Sequence, residues 1–269
     1  MDDVIYLDLA DAVAYMRGSE VVSYTADQII DKMSEVLFRL ENDDQIKLFI
    51  ELVKSYKIIN EYSGCCLEII KRIEKNFGRN DNIVLIPVRD ENSEIKSGHS
   101  VVYEIRAYID PNQFKSVKFL ESLDSIKDDI NNYQIIAVDD FIGTGSQFRK
   151  FSREIQRKFD LSISRIHLFA IAVMKSRVDR IKKFCSLFES VVLLEKSIEK
   201  ISKDQMIENA YEIYDSIESN LSISPYYRRG YGRSESLVTM KRTPNNTLPI
   251  FWNVKAKGGK RWPAPFPRF

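Results

Sequence analysis

Two adjacent carboxylates, Asp139 and Asp140, end an apolar run and are followed almost at once by a glycine-rich turn, in the stretch IIAVDDFIGTGSQ at residues 135–147. Carboxylate pairs of this kind suit sugar hydroxyls or a hard cation such as Mg2+, which takes oxygen ligands. A glycine turn that opens a helix presents backbone N–H groups to an anion, and the helix dipole favours negative charge there. Carboxylates and turn together therefore read as a binding place in which one ligand uses both features. Three other glycine-rich phosphate sites fit less well. A Walker loop needs GxxxxGK[ST], and no such string occurs. A dinucleotide fingerprint needs a third glycine that GTGSQF lacks, and the preceding acids would repel a pyrophosphate. A methyltransferase loop places its acid directly before the first glycine, whereas Phe141 and Ile142 intervene here.

The elements around this motif read as an α/β chain. IVLIPV from residue 83, YQIIAVDD, RIHLFAIAVM and ESVVLLEK are short apolar runs expected of strands covered on both faces, with a weaker strand at SVKFL. Between them, HSVVYEIRAYI, LDSIKDDI, SQFRKFSREIQRKF and SRVDRIKKFCSLF read as helices, the third with Phe148, Phe151, Ile155 and Phe159 on one stripe. Strands alternating with helices predict a central, mostly parallel sheet, with ligands bound at the carboxyl ends of its strands. Ahead of it, residues 25–78 read as three helices. The first follows a capping box from Thr25 to Gln28, the second runs through QIKLFIELVKSYKIINEY, and the third ends near Gly78. The expected division is a helical segment at 1–78, an α/β core at 79–224 and a tail at 225–269.

At 269 residues the chain can bury a sizeable core, and its net charge is +1. That near-neutral total hides an uneven distribution. Residues 225–269 carry ten Lys or Arg against one acid, Glu235, leaving 30 basic and 38 acidic residues in the first 224. No apolar run approaches the length of a bilayer span, and the acidic start MDDVIYLDLADAV is unlike a secretory signal, so a cytoplasmic location is expected. Cys65, Cys66 and Cys185 make neither a disulfide framework nor a zinc pair, and reduced, packed thiols are expected. His167, inside an apolar strand, reads as packed rather than ligating, and His99 is likewise read as structural.

In order and spacing, IIAVDD-FI-GTGSQ resembles the signature of the type I phosphoribosyltransferases: a hydrophobic strand, two acids, two mostly apolar residues, then a Thr/Gly loop opening a helix. The resemblance implies that Gly143, Thr144, Gly145, Ser146 and Gln147 cradle the 5′-phosphate of a phosphoribosyl group. It implies that Asp139 and Asp140 meet the ribose hydroxyls, directly or through Mg2+, as the catalytic and metal-binding pair. The loop after the first core strand, IPVRDENSEIKSGHS, then supplies Arg89, Lys96, Ser97 and Gly98 to a pyrophosphate. Two features depart from the family: Gly143 stands where several purine-salvage members carry an acid, and no hood strand pair is recognisable.

The ending, with its TPNNTLPIFW block, resembles phosphoribosyltransferase-like effectors of bacterial conflict or antiphage cassettes, some beside retron reverse transcriptases. In the tail SLVTM is expected as a last sheet strand, and Asn245, Asn246 and Trp252 as a lid that recognises a base or acceptor through amide edges and stacking. Interleaved arginines and aromatics could alternatively hold single-stranded nucleic acid. The expected function is that of a glycosyltransferase of the phosphoribosyltransferase type, binding phosphoribosyl pyrophosphate or a nucleotide with Mg2+. The contrasting reading is a non-catalytic module that senses a nucleotide or scaffolds a nucleoprotein complex. The N-terminal helices or the tail would take a protein or nucleoprotein partner. Folds of this kind often pair, so a homo-oligomer is a further expectation.

Overall fold

The computed structural model describes residues 26–59, 61–88, 97–126 and 130–268. The chain forms two compact units, one of residues 61–194 and one that joins residues 1–60 to 195–269.

The unit of residues 61–194 is built on a five-stranded parallel sheet. Its strands are β2 (Asn82–Pro87), β3 (Ser116–Phe119), β4 (Gln134–Ile142), β5 (Ile166–Met174) and β6 (Leu187–Leu194), in spatial order β3-β2-β4-β5-β6. All four pairings are parallel. β5 is buried at all nine positions, as a strand covered on both faces should be, which is why its sequence is apolar without alternation. Flanking the sheet are α3 (Tyr62–Asn76), α4 (Ser97–Tyr108) and α5 (Ser146–Phe159). Phe148, Phe151 and Ile155 of α5 enter a core with Ile135, Ala137 and Leu168, and Phe159 packs at its margin. The short α6 (Val178–Ile181) replaces the longer helix expected at 176–188, continuing as a 3-10 turn at Lys182–Phe184. The segment around Leu123 likewise forms 3-10 turns.

His167 is buried in β5. Its Nε2 lies 2.9 Å from Gln134 Oε1, its ring meets Phe77 edge-on, and burial pushes its pKa down to about 4. It is therefore a packed, neutral imidazole. The three cysteines are thiols and form no disulfide. Burial pushes Cys185 up to about 12, leaving it unreactive.

The other unit contains α1 (Ala26–Leu37), α2 (Asp43–Lys54), α7 (Ser197–Lys203) and α8 (Ala210–Glu218), with the two-residue strands β1 (Lys57–Ile58) and β7 (Val238–Thr239) paired in parallel. The capping residue expected at Thr25 lies outside the described residues. The second helix stops at Lys54 instead of running on to Tyr62. Tyr56 is buried and stacks on Phe266, with centroids 4.5 Å apart, and the chain beyond it pairs with β7.

This pairing redraws the expected division. The strand at Val238–Thr239 pairs with β1 and adds nothing to the five-stranded sheet. Phe251, Trp262 and Phe266 are core residues, packed with Phe49, Leu52 and Tyr214. The third expected helix, α3, belongs to the parallel-sheet unit instead of to an N-terminal bundle.

Residues 229–235 show how tightly the tail is folded. Arg229, Gly230, Gly232, Arg233 and Glu235 all have positive φ, a region that side-chain-bearing residues occupy at a cost. Hydrogen bonds hold the turn, from Glu235 N to Arg229 O (2.9 Å) and from Arg233 N to Gly230 O (2.8 Å). At Gly230 (φ 78, ψ 153) the backbone is open essentially to glycine alone. A Cβ there would stand 2.0 Å from Asn246 O. Gly230→Ala is expected to cost about 3 kcal/mol in urea denaturation. A loss under about 1 kcal/mol would contradict this packing.

Candidate functional site

The site is built at the carboxyl end of β4, the central strand of the sheet. Sequence fixes this locally. The apolar run of residues 135–138 is interrupted by two short acids, and the strand goes on through Phe141 and Ile142. Both are largely buried, at 8% exposure each. Their charges must therefore be met by specific partners. Asp140 Oδ2 accepts from the Tyr62 hydroxyl at 3.0 Å, and Oδ1 accepts from the backbone N–H of Phe141 at 2.8 Å. Asp139 Oδ1 accepts from the backbone N–H of Asp140 at 3.0 Å. These bonds fix the direction of both carboxylates before any ligand arrives.

The glycine turn follows. Gly143 is buried, and Gly145 sits in the left-handed region (φ 71, ψ 2) at the entry to α5. A Cβ at Gly145 would approach Ile181 Cγ1 to 3.2 Å, so both backbone and space call for glycine. Thr144 Oγ1 accepts from Ser146 N at 3.3 Å, tightening the turn. Among the described residues no side chain caps α5 and no acid lies in its first turn, so its N-terminal amides and dipole face the turn without an internal anion. Gln147 does more than offer an amide. Its Nε2 donates to Val88 O at 3.1 Å, which ties the start of α5 to the end of β2.

Of the expected pyrophosphate residues, Arg89 and Lys96 lie outside the described residues. Ser97 opens α4, and Gly98 is its next residue. A Cβ on Gly98 would touch Pro87 Cβ and Val138 O at 3.4 Å and Asp139 Oδ1 at 3.5 Å. The start of α4 therefore stands directly against the carboxylate pair, with Gly98 beside Asp139.

Of the expected acceptor residues, Asn246 and Trp252 have side-chain polar groups engaged within the tail. Asn246 is buried, donating to Tyr231 O (2.9 Å) and Ser234 Oγ (3.2 Å). Trp252 is buried and its Nε1 donates to Thr247 O at 2.7 Å. Asn245, half-buried, accepts at its backbone O from Tyr231 N. Both buried side chains spend polar groups on holding the tail together.

Sequence reasoning missed Tyr62, whose helical position carries no motif. It also passed over Lys175 and Arg177, which follow the end of β5, the strand next to β4. In the register Asp139 faces Ala170 and Ile142 faces Val173, so both cations come after the paired strand ends, further along than the carboxylate pair. Position after an apolar strand was the one available signal.

Among the described residues no group of three or more His, Cys, Asp or Glu side chains gathers as a metal cage. The donor set nonetheless fits Mg2+, which keeps several waters and is held by one or two carboxylates plus ligand phosphates. Asp139 and Asp140 are the residues that would hold it.

No curated protein sequence matches the chain. Among solved structures, it is similar to a hypothetical protein from Neisseria gonorrhoeae with bound ppGpp at 10% identity, covering 52% of this chain and 85% of that one, with a TM-score of 0.37. It is similar to the xanthine-guanine-hypoxanthine phosphoribosyltransferase of Helicobacter pylori at 12% identity, covering 56% and 97%, with a TM-score of 0.33. Similarity to the APRTase of Giardia lamblia complexed with 9-deazaadenine is 12% identity over 48% and 78%, with a TM-score of 0.30. The PRTase-CE family model matches residues 40–268, so it takes in the whole parallel sheet, the carboxylate pair and glycine turn, and nearly all of the tail. This chain, with its phosphoribosyltransferase-like α/β core, belongs to the PRTase-CE family.

Proposed function

We propose that the protein binds phosphoribosyl pyrophosphate with Mg2+ and transfers the phosphoribosyl group to a nucleophilic acceptor. The observation that carries this reading is the sequence of features at one strand end: two fixed carboxylates, then a left-handed glycine turn opening an uncapped helix. The 5′-phosphate would lie on the amides of residues 143–147, and the ribose hydroxyls against Asp139 and Asp140. Arg89 and Lys96 would meet the pyrophosphate. In the reaction the bond from the anomeric carbon to pyrophosphate breaks and a bond from that carbon to the acceptor forms. The electron pair of the broken bond leaves with pyrophosphate, and the acceptor gives up its proton. The bound Mg2+ would supply positive charge against the leaving pyrophosphate. The chain's own part is to orient the sugar and to lower the cost of positive charge at the anomeric carbon through the nearby carboxylates.

The setting we propose is bacterial antiphage defence, as an effector, on the resemblance of the TPNNTLPIFW ending to proteins of such cassettes. Support for it would come from loss of phage protection in the Asp139→Asn variant in cells.

Calorimetry with phosphoribosyl pyrophosphate and Mg2+ tests the ligand. Saturable binding that requires the cation is expected, and no heat under any Mg2+ condition would reject it. Tyr62→Phe removes one hydrogen bond to a charged carboxylate, worth about 1.5 kcal/mol. Because the bond is present in the unliganded fold, the variant should lose about 1.5 kcal/mol of stability in urea denaturation. The less firmly held Asp140 should weaken binding of the Mg2+ complex about tenfold. Unchanged affinity would show that Tyr62 does not position Asp140.

A further inference from the structure

We propose that the unit formed by residues 1–60 and 195–269 carries a binding surface for single-stranded nucleic acid, made by a basic hairpin and neighbouring exposed tyrosines. This goes beyond the phosphoribosyl reading, which concerns the other unit.

The charge argument starts from Glu235, the single acid among residues 225–269. Its side chain is 1% exposed, and Oε1 is paired with Lys196 Nζ at 2.7 Å. Its Oε2 accepts from the backbone N–H of Glu199 at 3.0 Å. The acid is therefore spent inside the fold, and the tail's outer surface carries cations only.

Geometry then concentrates them. In KAKGGKR, Lys255 bridges Arg261 in antiparallel fashion, and Ala256 N donates to Lys260 O at 2.9 Å. Gly258 and Gly259 turn the chain at positive φ, and a Cβ on either would meet nothing within 4 Å, so the tip projects into solvent. Lys255, Lys257, Lys260 and Arg261 are all exposed on this seven-residue hairpin. Among the described residues none of the four has a carboxylate partner.

Flat rings stand nearby. Ser222 N donates to Lys255 O at 2.9 Å. Tyr226, four residues beyond Ser222, is 80% exposed. Four residues of extended chain reach at most about 14 Å, so this ring stays close to the hairpin. Tyr227 meets Trp252 edge-on at 5.8 Å and Tyr231 at 6.1 Å, and Tyr231 is 42% exposed. Arg228 and Arg233 flank these rings and are exposed. Arg268 N donates to Trp252 O at 3.1 Å, and Trp252 meets Tyr227 edge-on, so the Arg268 backbone lies beside these rings.

Cations that track phosphates, interleaved with aromatic faces on which bases stack, are the two components of sequence-tolerant single-strand binding. A membrane surface fits less well, because it would need an exposed apolar anchor on the hairpin. Trp262, the large apolar residue next to it, is buried. An acidic protein would use the charge but not the rings.

The test uses the full chain and a fluorescein-labelled thymidine oligonucleotide, with anisotropy followed across a salt series. The wild type should bind with a log–log salt slope of about −0.7 per phosphate neutralised. Changing Lys255, Lys257, Lys260 and Arg261 together to Gln should make the slope shallower by about 2.8. Tyr226→Ala combined with Tyr231→Ala should weaken binding about tenfold or more with the slope unchanged. Asp139→Asn should bind the oligonucleotide as the wild type does, which separates this surface from the phosphoribosyl site. The proposal is overturned if the tyrosine variant binds normally, if heparin or duplex DNA competes as well as the single strand, or if Asp139→Asn abolishes binding. Retention by phosphatidylserine vesicles without oligonucleotide binding would overturn it too.

Discussion

Replacing Asp139 or Asp140 by Asn is expected to lower phosphoribosyl transfer by about 10²–10³ in kcat/KM, leaving the fold intact. The substitution is close to isosteric, so it tests charge more than shape. In Asp140→Asn the amide oxygen can still accept from the Tyr62 hydroxyl, which lies 3.0 Å from the carboxylate, and the strand keeps its place between β2 and β5. What disappears is negative charge beside a ribose that becomes positive as pyrophosphate departs. It also removes one of two hard oxygen ligands available to Mg2+. The variants should therefore show weaker Mg2+-dependent binding of phosphoribosyl pyrophosphate by calorimetry as well as slower turnover. An Asn variant that keeps full phage protection in cells while losing ligand chemistry would turn the assignment towards a non-catalytic module. Full transfer activity in both variants would remove the carboxylate pair from the mechanism.

Local features of this site were legible in the sequence, and long-range ones were not. β4, β5 and α5 follow from runs whose burial pattern is written in consecutive residues. The parallel sheet follows from their alternation with helices, and the turn follows from glycines at fixed offsets from the acids. Tyr62 was invisible because its hydrogen bond reaches across 78 positions, and nothing in YSGCCLEII distinguishes that ring from a packing residue. Gln147 reaches Val88 across 59 positions in the same way. Its side chain was read only as part of the phosphate turn. The tail misled for a different reason. Arginines, aromatics and Asn-Pro turns look like a surface segment, and their composition does not reveal that Phe251, Trp262 and Phe266 meet helices from the opposite end of the chain. β1 and β7 have two residues each, too short to announce themselves by alternation.

Phe251→Ala is the sharpest test of that corrected view of the tail. Phe251 is fully buried and stacks on Phe49, with centroids 5.6 Å apart and the rings 15° from parallel. Tyr56 lies against the same ring, with centroids 4.8 Å apart. The ring is thus clasped by α2, by the turn after it and by the tail's own 3-10 turn at Pro249–Phe251. Removing it deletes a large apolar volume and opens a cavity whose walls cannot fully collapse, because Phe251 N and Phe266 N also hold the backbone in place through Leu248 O and Phe251 O. An expected loss of about 3–5 kcal/mol in urea denaturation follows, a large share of the stability of a typical domain. The same substitution in a mobile lid would cost little, since an aromatic ring that only covers a ligand contributes nothing to the unliganded fold. A shift in the unfolding midpoint without ligand present therefore separates core from lid, and a loss below about 1 kcal/mol would return the tail to the surface.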